Sequence, residues 1–595
     1  MCGIAGLITS PVKPLTKDDL TDRINAMQTA LLHRGPNHQD IYFSPQGKAA
    51  ICHTRLSIID PNDRANQPML SEDGRYILSF NGEIYNYRKL RTKLEEGGVE
   101  FNSESDTEVV LKLLIEHGVK ALSSLRGMFT IAFWDEQHQS LLLARDPLGI
   151  KPVYYCARDG SMAFASEVRA LLQAGLSSRK LSSRGVNQYL LRGSFSEPDT
   201  AFTDIKLLPA GTFFQWQQDR PKLQRYWTPP IKVDRNMKRD HAIELTRTAL
   251  EHSIKAHLVS DVPLGLFLSG GIDSTVILAI AKQLSSKDIK TYSLAFEDAQ
   301  WNEGDIAKRT AKHFGTHHTE WKIDSLQAQN LFSEFLASVD QPTIDGFNTY
   351  CISKLANDNG EKVVLTGLGA DELFAGYPSF QTLPILKRRA QRFKWLSLVL
   401  SPARNIIDKL VSPKGRRLLD LIYNADSIAI MHQSFRGVFS QSEANYLTHQ
   451  ITGKQNKVKH HKLRTKNTLD QISELEMSVY CRNQLLRDSD IFSMAFGVEL
   501  RVPFIDKVLI EQLSTVPKRW RLDPGKRLLI DSVPELPEWV VDRPKQGFRF
   551  PFDEWLRKEW SNMPIASTPS WIKLTPWYRR WSLAVLQDWI QRHVR

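Results

Sequence analysis

Short strand-like runs dominate the first two hundred residues of the chain. Runs such as YILSF and GMFTIAFWD (127–135) are rich in apolar and aromatic residues, and a turn signal, Asn81-Gly82, follows the first of them. The segment 207–227 is typical of a closing hairpin followed by a tether. The pattern therefore predicts a strand-rich N-terminal domain over residues 2–215.

The hydrophobic pattern changes over the region 235–560, where helical spacing alternates with short apolar runs. Three of these runs are GLFLSGG (265–271), TYSLAF (291–296) and KVVLTGLG (362–369). Strand, glycine turn and helix in alternation predict a parallel sheet with helices on both faces. Beyond Tyr377 the spacing favours helices, so we predict an α/β domain with a helical C-terminal part.

Composition indicates a soluble globular protein of two or more domains. The chain has 595 residues, of which 42% are hydrophobic. Its mean hydropathy is −0.33, and we expect neither a signal peptide nor the roughly 18-residue apolar run of a membrane-spanning helix. Scattered cysteines in odd number argue against a disulfide scaffold and predict a reducing, cytoplasmic compartment. They are Cys2, Cys52, Cys156, Cys351 and Cys481.

The net charge of +12 is unevenly distributed. The stretch 387–417 carries ten Lys or Arg and one Asp, within a predicted helical insert at about 378–475, and a second basic cluster lies at 457–466. Apolar FKWLSLVL inside the first stretch predicts a helix that could lie on an anionic membrane surface. A solvated helical hairpin is the simpler interpretation, and we expect no nucleic-acid partner because RNA-binding signatures are absent.

The segment 268–274 (LSGGIDS) lies at a predicted strand-to-helix junction. Glycines let the backbone approach an anion, and the helix that follows presents free N–H groups. The segment is not the lysine-containing loop of other nucleotide-binding proteins, and a plain tight turn is the alternative. We predict a nucleotide phosphate site that includes Leu268, Ser269, Gly270, Gly271, Asp273 and Ser274.

A second acidic glycine turn, TGLGADE (366–372), follows another predicted strand. Two such turns at the carboxyl edge of one parallel sheet can flank a single nucleotide. A carboxylate beside a phosphate is favourable only when a cation lies between them, which is typical of Mg²⁺. We therefore predict that Asp273 and Asp371 share a Mg²⁺ ion and the diphosphate of ATP.

Cys2 combines a thiol with an α-amine if the initiator Met1 is removed. An α-amine titrates near pH 8, so it can act as the base for its own nucleophile without a histidine partner. On its own, a cysteine here is more simply a small residue of a first strand. The segments that accompany it change this interpretation.

Further polar segments in the N-terminal region suit the attack of a thiolate on an amide of an amino-acid substrate. The Asn81 side chain and the Gly82 N–H supply two donors for an oxyanion. Glu83 and Asp106 can accept from the ammonium of an amino acid, and Arg55 can bind its carboxylate. Taken singly, a hairpin turn or a surface ion pair explains each of them equally well.

The whole chain resembles glutamine-hydrolysing asparagine synthetases. The motifs that carry the resemblance occur in family order between residue 2 and about 556. They are MCGIAG, HRGPN, RLSII, NGEIYN, SDTEV, GMFTIAFWD, RDPLGIKPVYY, SEVRAL, LSGGIDS, GADELFAGY and GVELRVPFID.

The resemblance implies two folds and a set of functional residues. The N-terminal domain would be an α+β class II glutamine amidotransferase with stacked antiparallel sheets, of the N-terminal-nucleophile type. The second domain would be an ATP-pyrophosphatase type α/β domain with a parallel sheet, followed by a tail at 561–595. Cys2, Asn81 and Gly82 would be catalytic. Glutamine would contact Arg55, Leu56, Ser57, Ile58, Ile59, Asn81, Gly82, Glu83 and Asp106, and ATP would also contact Phe296, Thr366, Gly367 and Lys545.

The implied reaction has two halves. Cys2 hydrolyses glutamine to glutamate and ammonia, while ATP adenylates a small carboxylate acceptor and releases diphosphate. Ammonia then reaches the acyl-adenylate through a dry passage, for which FTIAFW and LLPAG are candidate walls, although ordinary core packing explains both. The family also implies a homodimer.

One position departs from the family pattern. Leu368 stands in the acceptor pocket, beside Asp371, where authentic asparagine synthetases usually have a glutamate. Leucine can neither take a proton nor pair with an ammonium group. Aspartate as acceptor and a different carboxylate, such as a sugar uronate in surface-polysaccharide synthesis, therefore remain as two interpretations; another carboxylate residue that replaces the glutamate would favour the first.

Two rival functions are less consistent with the sequence. A relative that closes a ring or joins a peptide would often lack the N-terminal cysteine, which is present here. A non-catalytic scaffold would not need to retain Cys2, Asp106, Asp273 and Asp371 together.

Overall fold

The computed structural model describes most of the chain. The described residues are 2–217, 222–285, 288–296, 304–400, 402, 404–454, 462–543, 550–558, 560 and 568–594. Two sheet-containing domains and a set of helices make up this part of the chain.

Two antiparallel sheets form the N-terminal domain. The strands are β1 (Gly3–Ile8), β2 (His38–Phe43), β3 (Ala49–Arg55), β4 (Met69–Leu70), β5 (Tyr76–Ile84), β6 (Gly127–Asp135), β7 (Ser140–Arg145), β8 (Tyr154–Arg158), β9 (Ser161–Ala165), β10 (Lys206–Leu207), β11 (Thr212–Trp216) and β12 (Gln224–Arg225). The strand order is β10-β8-β9-β1-β3-β2 in one sheet and β12-β11-β7-β6-β5-β4 in the other.

Alternation along the strands explains why the two sheets stack. Ile4 and Ile8 of β1 pack against Ala132 and Trp134 of β6 in a shared core. The intervening Leu7 faces the other way, onto helix α1, as the two-residue period of a strand requires. The helices of this domain are α1 (Lys17–Thr29), α2 (Tyr87–Glu96), α3 (Asp106–His117), α4 (Val168–Gln173) and α5 (Ser183–Arg192), with 3₁₀ turns at Leu32–Arg34, Asp63–Ala65 and Gly118–Ser123.

A parallel sheet forms the centre of the second domain, with strand order β15-β14-β13-β16-β17. Its elements up to the second glycine turn are α6 (Arg239–His257), β13 (Leu264–Phe267), α7 (Ile272–Leu284), β14 (Lys290–Ala295), α8 (Gly304–His313), β15 (His317–Lys322), α9 (Ser325–Ser338), α10 (Phe347–Asp358), β16 (Val363–Leu365) and α11 (Ala370–Leu373). Together with the stacked antiparallel sheets, this architecture confirms the predicted fold class.

The rest of the described chain is almost entirely helical. Its elements are α12 (Ser379–Arg392), α13 (Trp395–Leu400), α14 (Arg404–Leu410), α15 (Pro413–Tyr423), α16 (Ile428–Arg436), α17 (Gln441–Thr452), α18 (Thr468–Leu475), a π-helical segment (Glu476–Leu486), α19 (Arg487–Met494), β17 (Glu499–Arg501), α20 (Lys507–Leu513), α21 (Lys518–Arg521), α22 (Arg527–Asp531), α23 (Glu538–Val541), α24 (Phe552–Trp555) and α25 (Tyr578–His593). None of the described helices combines the length and apolar character needed to cross a membrane.

The helical parts pack back onto the N-terminal domain. Asn187 of α5 donates to Thr448 of α17 at 3.0 Å, which docks the insert. Helix α25 lies in the region predicted as a tail. Its Ser582 carbonyl accepts a hydrogen bond from the Tyr189 hydroxyl at 2.7 Å. Trp589 of the same helix is buried in the shared core, so the described part of this segment is structural.

Buried charge crosses the interface between the two sheet domains. Arg34 is fully buried and donates to Glu167 of its own domain and to Asp490 of α19, both at 2.8 Å. The Lys151 ammonium lies 3.5 Å from the same Asp490 carboxylate, and burial lowers its pKa. Such a cluster is costly to break, because removing one partner leaves the others charged in a medium of low polarity.

We expect replacement of Asp490 by alanine to destabilise the protein by about 3–5 kcal/mol, because Arg34 and Lys151 each lose a buried carboxylate partner. Urea denaturation followed by tryptophan fluorescence measures the effect. The control is Asp588→Ala, which removes the partner of Arg592 in an (i, i+4) pair on the surface of α25, and should cost under about 1 kcal/mol. Equal losses in the two variants would contradict the structural role of the buried pair.

Candidate active sites

The chain reaches the first site at the start of β1. Cys2 is buried, with 7% of its surface exposed, and its nitrogen lies 2.9 Å from the Oδ1 atom of Asn81 on β5. The neighbouring Gly3 pairs with Thr54 of β3 and donates to its hydroxyl at 3.1 Å. Two sheets therefore meet at this residue, because β3 and β5 each bring one predicted functional segment beside it.

Burial and the neighbouring groups shift the pKa of the Cys2 thiol in opposite directions. Burial raises the pKa of this thiol, whereas the backbone N–H of Leu56 and the positive charge of Arg55 act to lower it. Glu83 acts in the same direction as burial. The thiol therefore needs a base close to it, and in the mature protein the nearest one is its own α-amine.

Asn81 and Gly82 supply the geometry of an oxyanion site. The Nδ2 atom of Asn81 is buried and has no hydrogen-bond partner among the described residues, so it is a donor available to a ligand. Gly82 has φ +153°, and a Cβ atom there would lie 2.0 Å from the carbonyl oxygen of Met128. A side chain at this position would push β5 away from β6 and displace Asn81.

Two buried carboxyl groups lie near the thiol. Burial raises the pKa of Asp106 to about 7 although its Oδ2 accepts from the Ile84 N–H at 2.9 Å. Burial also raises the pKa of Glu83, whose Oε2 lies 3.4 Å from the Arg501 guanidinium. The ammonium group of an amino-acid ligand would supply the positive charge that these two carboxyls need.

Arg55 fixes the loop that follows β3. Its guanidinium donates to the backbone carbonyls of Asp60 at 2.6 Å and Asn62 at 2.9 Å, and to the Asn66 side chain at 2.8 Å. The loop residues predicted to contact glutamine are all buried: Leu56, Ser57, Ile58 and Ile59. Arg55, Leu56 and Glu83 thus lie close enough to shift the pKa of the Cys2 thiol, and Asn81 accepts from the Cys2 nitrogen.

A second site lies at the carboxyl edge of the parallel sheet. A cavity of about 320 Å³ opens there, and both glycine turns line it. A Cβ atom on Gly367 would lie 2.8 Å from the Ser274 nitrogen, so the two turns touch and only glycine fits between them. The predicted residues that line this cavity are Leu268, Ser269, Asp273, Ser274, Thr366, Gly367, Leu368 and Asp371.

Lys526 also belongs to this site, although it was not among the predicted residues. Its ammonium lies 2.5 Å from the Asp273 carboxylate and 2.6 Å from the Asp371 carboxylate. These two neighbours raise the pKa of the lysine despite its burial. No local motif marks this residue, which lies more than 150 positions beyond both glycine turns.

Asp273 and Asp371 suit a divalent cation. Both carboxylates contact the Lys526 ammonium, so they lie close enough together to bind one cation. A Mg²⁺ ion bound to phosphate oxygens could be held by the same two carboxylates. Mg²⁺ commonly uses one or two carboxylates and completes its coordination with phosphates and water. The donor set therefore fits the predicted ion.

The other predicted nucleotide residues divide into three cases. Gly270 and Gly271 complete the first turn, and Gly270 has φ +70°, a conformation that favours glycine. The Phe296 side chain is buried against Phe550, with ring centres 4.9 Å apart, and is not among the residues that line the cavity. Lys545 lies outside the described residues.

An apolar side chain, Leu368, lines the part of the cavity where the acceptor is predicted to bind. Leu368 packs against an apolar cluster that spans the two domains. The nearby Glu372 also lines the cavity, and burial raises its pKa to about 8. Its Oε1 accepts from the Tyr377 hydroxyl at 2.9 Å, which acts against burial and lowers the pKa of this carboxyl.

A buried thiol near the start of the chain and a nucleotide-type cavity on a parallel sheet are together typical of a glutamine-dependent ligase with two active sites. Comparison with known families agrees. Residues 1–227 match the family described as "Glutamine amidotransferase domain", and residues 245–568 match "Asparagine synthase". The chain belongs to the asparagine synthase family, whose members are ATP-dependent, glutamine-hydrolysing ligases.

Individual relatives align along nearly the whole chain. It is 31% identical to asparagine synthetase [glutamine-hydrolyzing] 1 of Bacillus subtilis, over 94% of this chain and 88% of the relative. It is 28% identical to asparagine synthetase 3 of the same organism, over 92% and 87%. It is 27% identical to the amidase chry2 of Gibberella zeae, over 95% and 90%.

We expect Asn81→Ala to lower kcat for glutamine hydrolysis by about 10²- to 10³-fold, because the variant lacks one donor to the oxyanion. Glutamate release measures this rate, and ammonium-dependent diphosphate release should stay unchanged. Asn25→Ala, on the exposed face of α1, is the matched control. Glutaminase activity within twofold of the control would contradict this role of Asn81.

Proposed function

We propose that Cys2 attacks the glutamine amide after removal of Met1. As the thiolate forms, its α-amine takes the thiol proton and later passes it to the leaving ammonia. The Cys2 nitrogen lies 2.9 Å from Asn81 Oδ1, which orients it. The attack forms a tetrahedral oxyanion that Asn81 Nδ2 and the Gly82 N–H stabilise. Loss of ammonia leaves a glutamyl thioester, and water hydrolyses this thioester to glutamate.

The second half of the reaction takes place between the two glycine turns. The acceptor carboxylate attacks the α-phosphorus of ATP, which gives an acyl-adenylate and diphosphate. Asp273 and Asp371 would hold Mg²⁺, which screens the phosphate charge, and Lys526 is placed to contact the same oxygens. Ammonia then displaces AMP and forms the amide.

An apolar cluster supports a dry route for ammonia between the two sites. It joins Met128, whose carbonyl backs Gly82, to Leu368 at the acceptor cavity. The other buried members are Leu148, Ile150, Trp227, Cys481, Leu486, Val502 and Ile505. The predicted walls FTIAFW and LLPAG pack mainly into the cores of the N-terminal domain, so Met128 and Leu148 are the better candidates.

We infer that the acceptor is a carboxylate other than aspartate. The observation that carries this inference is the charge of the cavity around Leu368. Asp273 and Asp371 are held by Lys526, and Glu372 has a pKa of about 8. Among the described residues that line the cavity, no further carboxylate is present to pair with the ammonium of aspartate.

Aspartate is the second candidate acceptor. The printed names of the Bacillus subtilis relatives favour it. An acceptor ammonium could also shift the ionisation of Glu372, since a nearby positive charge lowers the pKa of a carboxyl.

We expect the purified enzyme, given ATP, Mg²⁺ and amide-¹⁵N glutamine, to label a uronate in preference to aspartate. Mass spectrometry of the products identifies the labelled amide, and the assay also follows equimolar glutamate and diphosphate. Leu368→Glu should raise the use of aspartate, because it restores a carboxylate beside the acceptor.

Cys2→Ala is the control for the source of nitrogen. It should abolish labelling from glutamine while ammonium still supports synthesis. Diphosphate release that is unaffected by Cys2→Ala with glutamine as sole nitrogen source would contradict the ligase mechanism. Efficient labelling of aspartate by the wild type would contradict the proposed acceptor.

We propose that helices α13 and α14 bind an anionic membrane surface peripherally. Several apolar side chains there are exposed, including Trp395 at 60% and Leu410 at 80%. Exposed basic residues, among them Arg392 and Lys409, lie on the same stretch. Arg416 of the predicted basic stretch is instead buried with Glu443. Apolar and basic groups together favour binding at an anionic interface.

We expect the protein to sediment with phosphatidylglycerol vesicles and not with phosphatidylcholine vesicles, since the basic residues attract anionic headgroups. Trp395→Glu with Leu410→Glu should abolish this binding. Leu326→Glu, at an equally exposed leucine elsewhere, is the control. Equal binding to both kinds of vesicle would contradict this proposal. So would binding that is unchanged in the Trp395→Glu, Leu410→Glu double variant.

Other expectations from the sequence stay predictions. These are the domain limits 2–215 and 235–560, a cytoplasmic location and a homodimer.

A further inference from the structure

A second cavity adjoins the acceptor side of the nucleotide cavity. It has a volume of about 410 Å³, in the range of pockets that hold ligands much larger than an amino acid. Asn348 lines both cavities. The π-helical segment also runs between them, since Leu485 lines the nucleotide cavity while Tyr480 and Gln484 line the second.

Aromatic side chains form about half of the lining of this second cavity. They come from distant parts of the chain: Phe435, Tyr480, Phe550, Trp577 and Trp581. Flat apolar walls of this kind pack against the face of a ring, and a few polar groups then fix its orientation. The cavity therefore has the lining of a ligand site.

Arg192 provides an uncompensated positive charge at this cavity. Its guanidinium donates to the Ser196 hydroxyl at 2.8 Å and to the Gln433 side chain at 2.9 Å, both neutral groups. Its Nε atom is buried without a hydrogen-bond partner among the described residues. Burial alone lowers the pKa of this arginine to about 10. An arginine held in this way suits an anionic ligand.

The other charged groups of the cavity are already accounted for. Arg436 lies 2.7 Å from Glu476 and stacks on the ring of Tyr480, 3.8 Å from its centre. Burial raises the pKa of Asp345, which favours its neutral form. Arg192 is therefore the cation of this lining whose charge calls for a ligand.

We propose that this cavity binds the body of the acceptor, and that Arg192 binds a second anionic group on it. The inference rests on the proposed function, since the reactive carboxylate must lie beside Leu368 in the adjoining cavity. It assigns the acceptor to ring-bearing molecules with two anionic groups, one that is converted to the amide and one that is not. A phosphorylated uronic acid has this chemistry, and aspartate lacks the ring.

A third cavity lies next to the aromatic cavity and would continue the path of a longer acceptor. It has a volume of about 640 Å³ and shares Trp577 and Tyr578 with the aromatic cavity. Lys414 and Arg557 are among its lining residues. Further anionic groups of a longer acceptor would meet positive charge along this path.

The experiment compares glucuronate, glucuronate 1-phosphate and aspartate as acceptors for the wild type and for Arg192→Gln. Diphosphate release gives the KM for each acceptor, and quenching of tryptophan fluorescence without ATP reports binding directly. We expect the wild type to prefer glucuronate 1-phosphate. Arg192→Gln should raise the KM for this acceptor by about 10- to 100-fold, the effect of one charged hydrogen bond, and leave glucuronate unchanged.

Arg184→Gln is the matched control, because Arg184 lies on the same helix α5 and is paired with Asp199 at 2.7 Å. Glutamine hydrolysis should be unchanged in both variants, which excludes misfolding. An Arg192→Gln variant that affects both uronates equally, or neither, would overturn the assignment of Arg192.

Failure of the proposed function is distinguishable from failure of this inference. Release of diphosphate with none of the acceptors would count against the ligase proposal, and the fluorescence assay would still decide the binding site. Quenching by glucuronate 1-phosphate that is lost in Arg192→Gln supports the site. Absence of such quenching in the wild type overturns it.

Discussion

The buried guanidinium of Arg501 joins the two halves of this enzyme. It donates to Glu499 at 2.6 Å and to the His257 carbonyl at 2.8 Å, and it lies 3.4 Å from Glu83 in the glutaminase site. The backbone carbonyl of the same residue accepts from Thr366 N–H at 3.0 Å, at the start of the second glycine turn. One fully buried residue therefore contacts both active sites, and the relative position of the two domains depends on its charge being balanced.

Close backbone approach is the second constraint, and it explains the two essential glycines. Gly82 lets β5 pass within van der Waals contact of Met128, which holds Asn81 beside Cys2. Gly367 lets the second turn touch Ser274 in the first. Both contacts lie at the ends of the interdomain apolar cluster. The same packing that positions each site thus also fills the space between them with apolar side chains.

The sequence predicted those features of the fold and the sites that depend on short stretches of the chain. Cys2, Asn81 and Asp273 were predicted from the motifs that surround them in the chain, and their roles stay predictions. The alternation of strands and helices indicated both folds. Lys526 and Arg192 could not be found in this way, because their roles arise from partners far away in the chain. The direction of a side chain could not be predicted from the sequence either. Phe296, for example, is buried against the aromatic ring of Phe550. Long-range packing, which no local pattern records, supplied these parts of the site.

We propose that ammonia passes from Cys2 to the acyl-adenylate without entering the solvent. Isotope competition tests this transfer: the wild type receives amide-¹⁵N glutamine together with excess unlabelled ammonium, and mass spectrometry measures ¹⁵N in the amide product. If the route is closed, the product keeps nearly the full label of the glutamine. A product whose label falls to that of the mixed ammonium pool would contradict a closed route between the two sites.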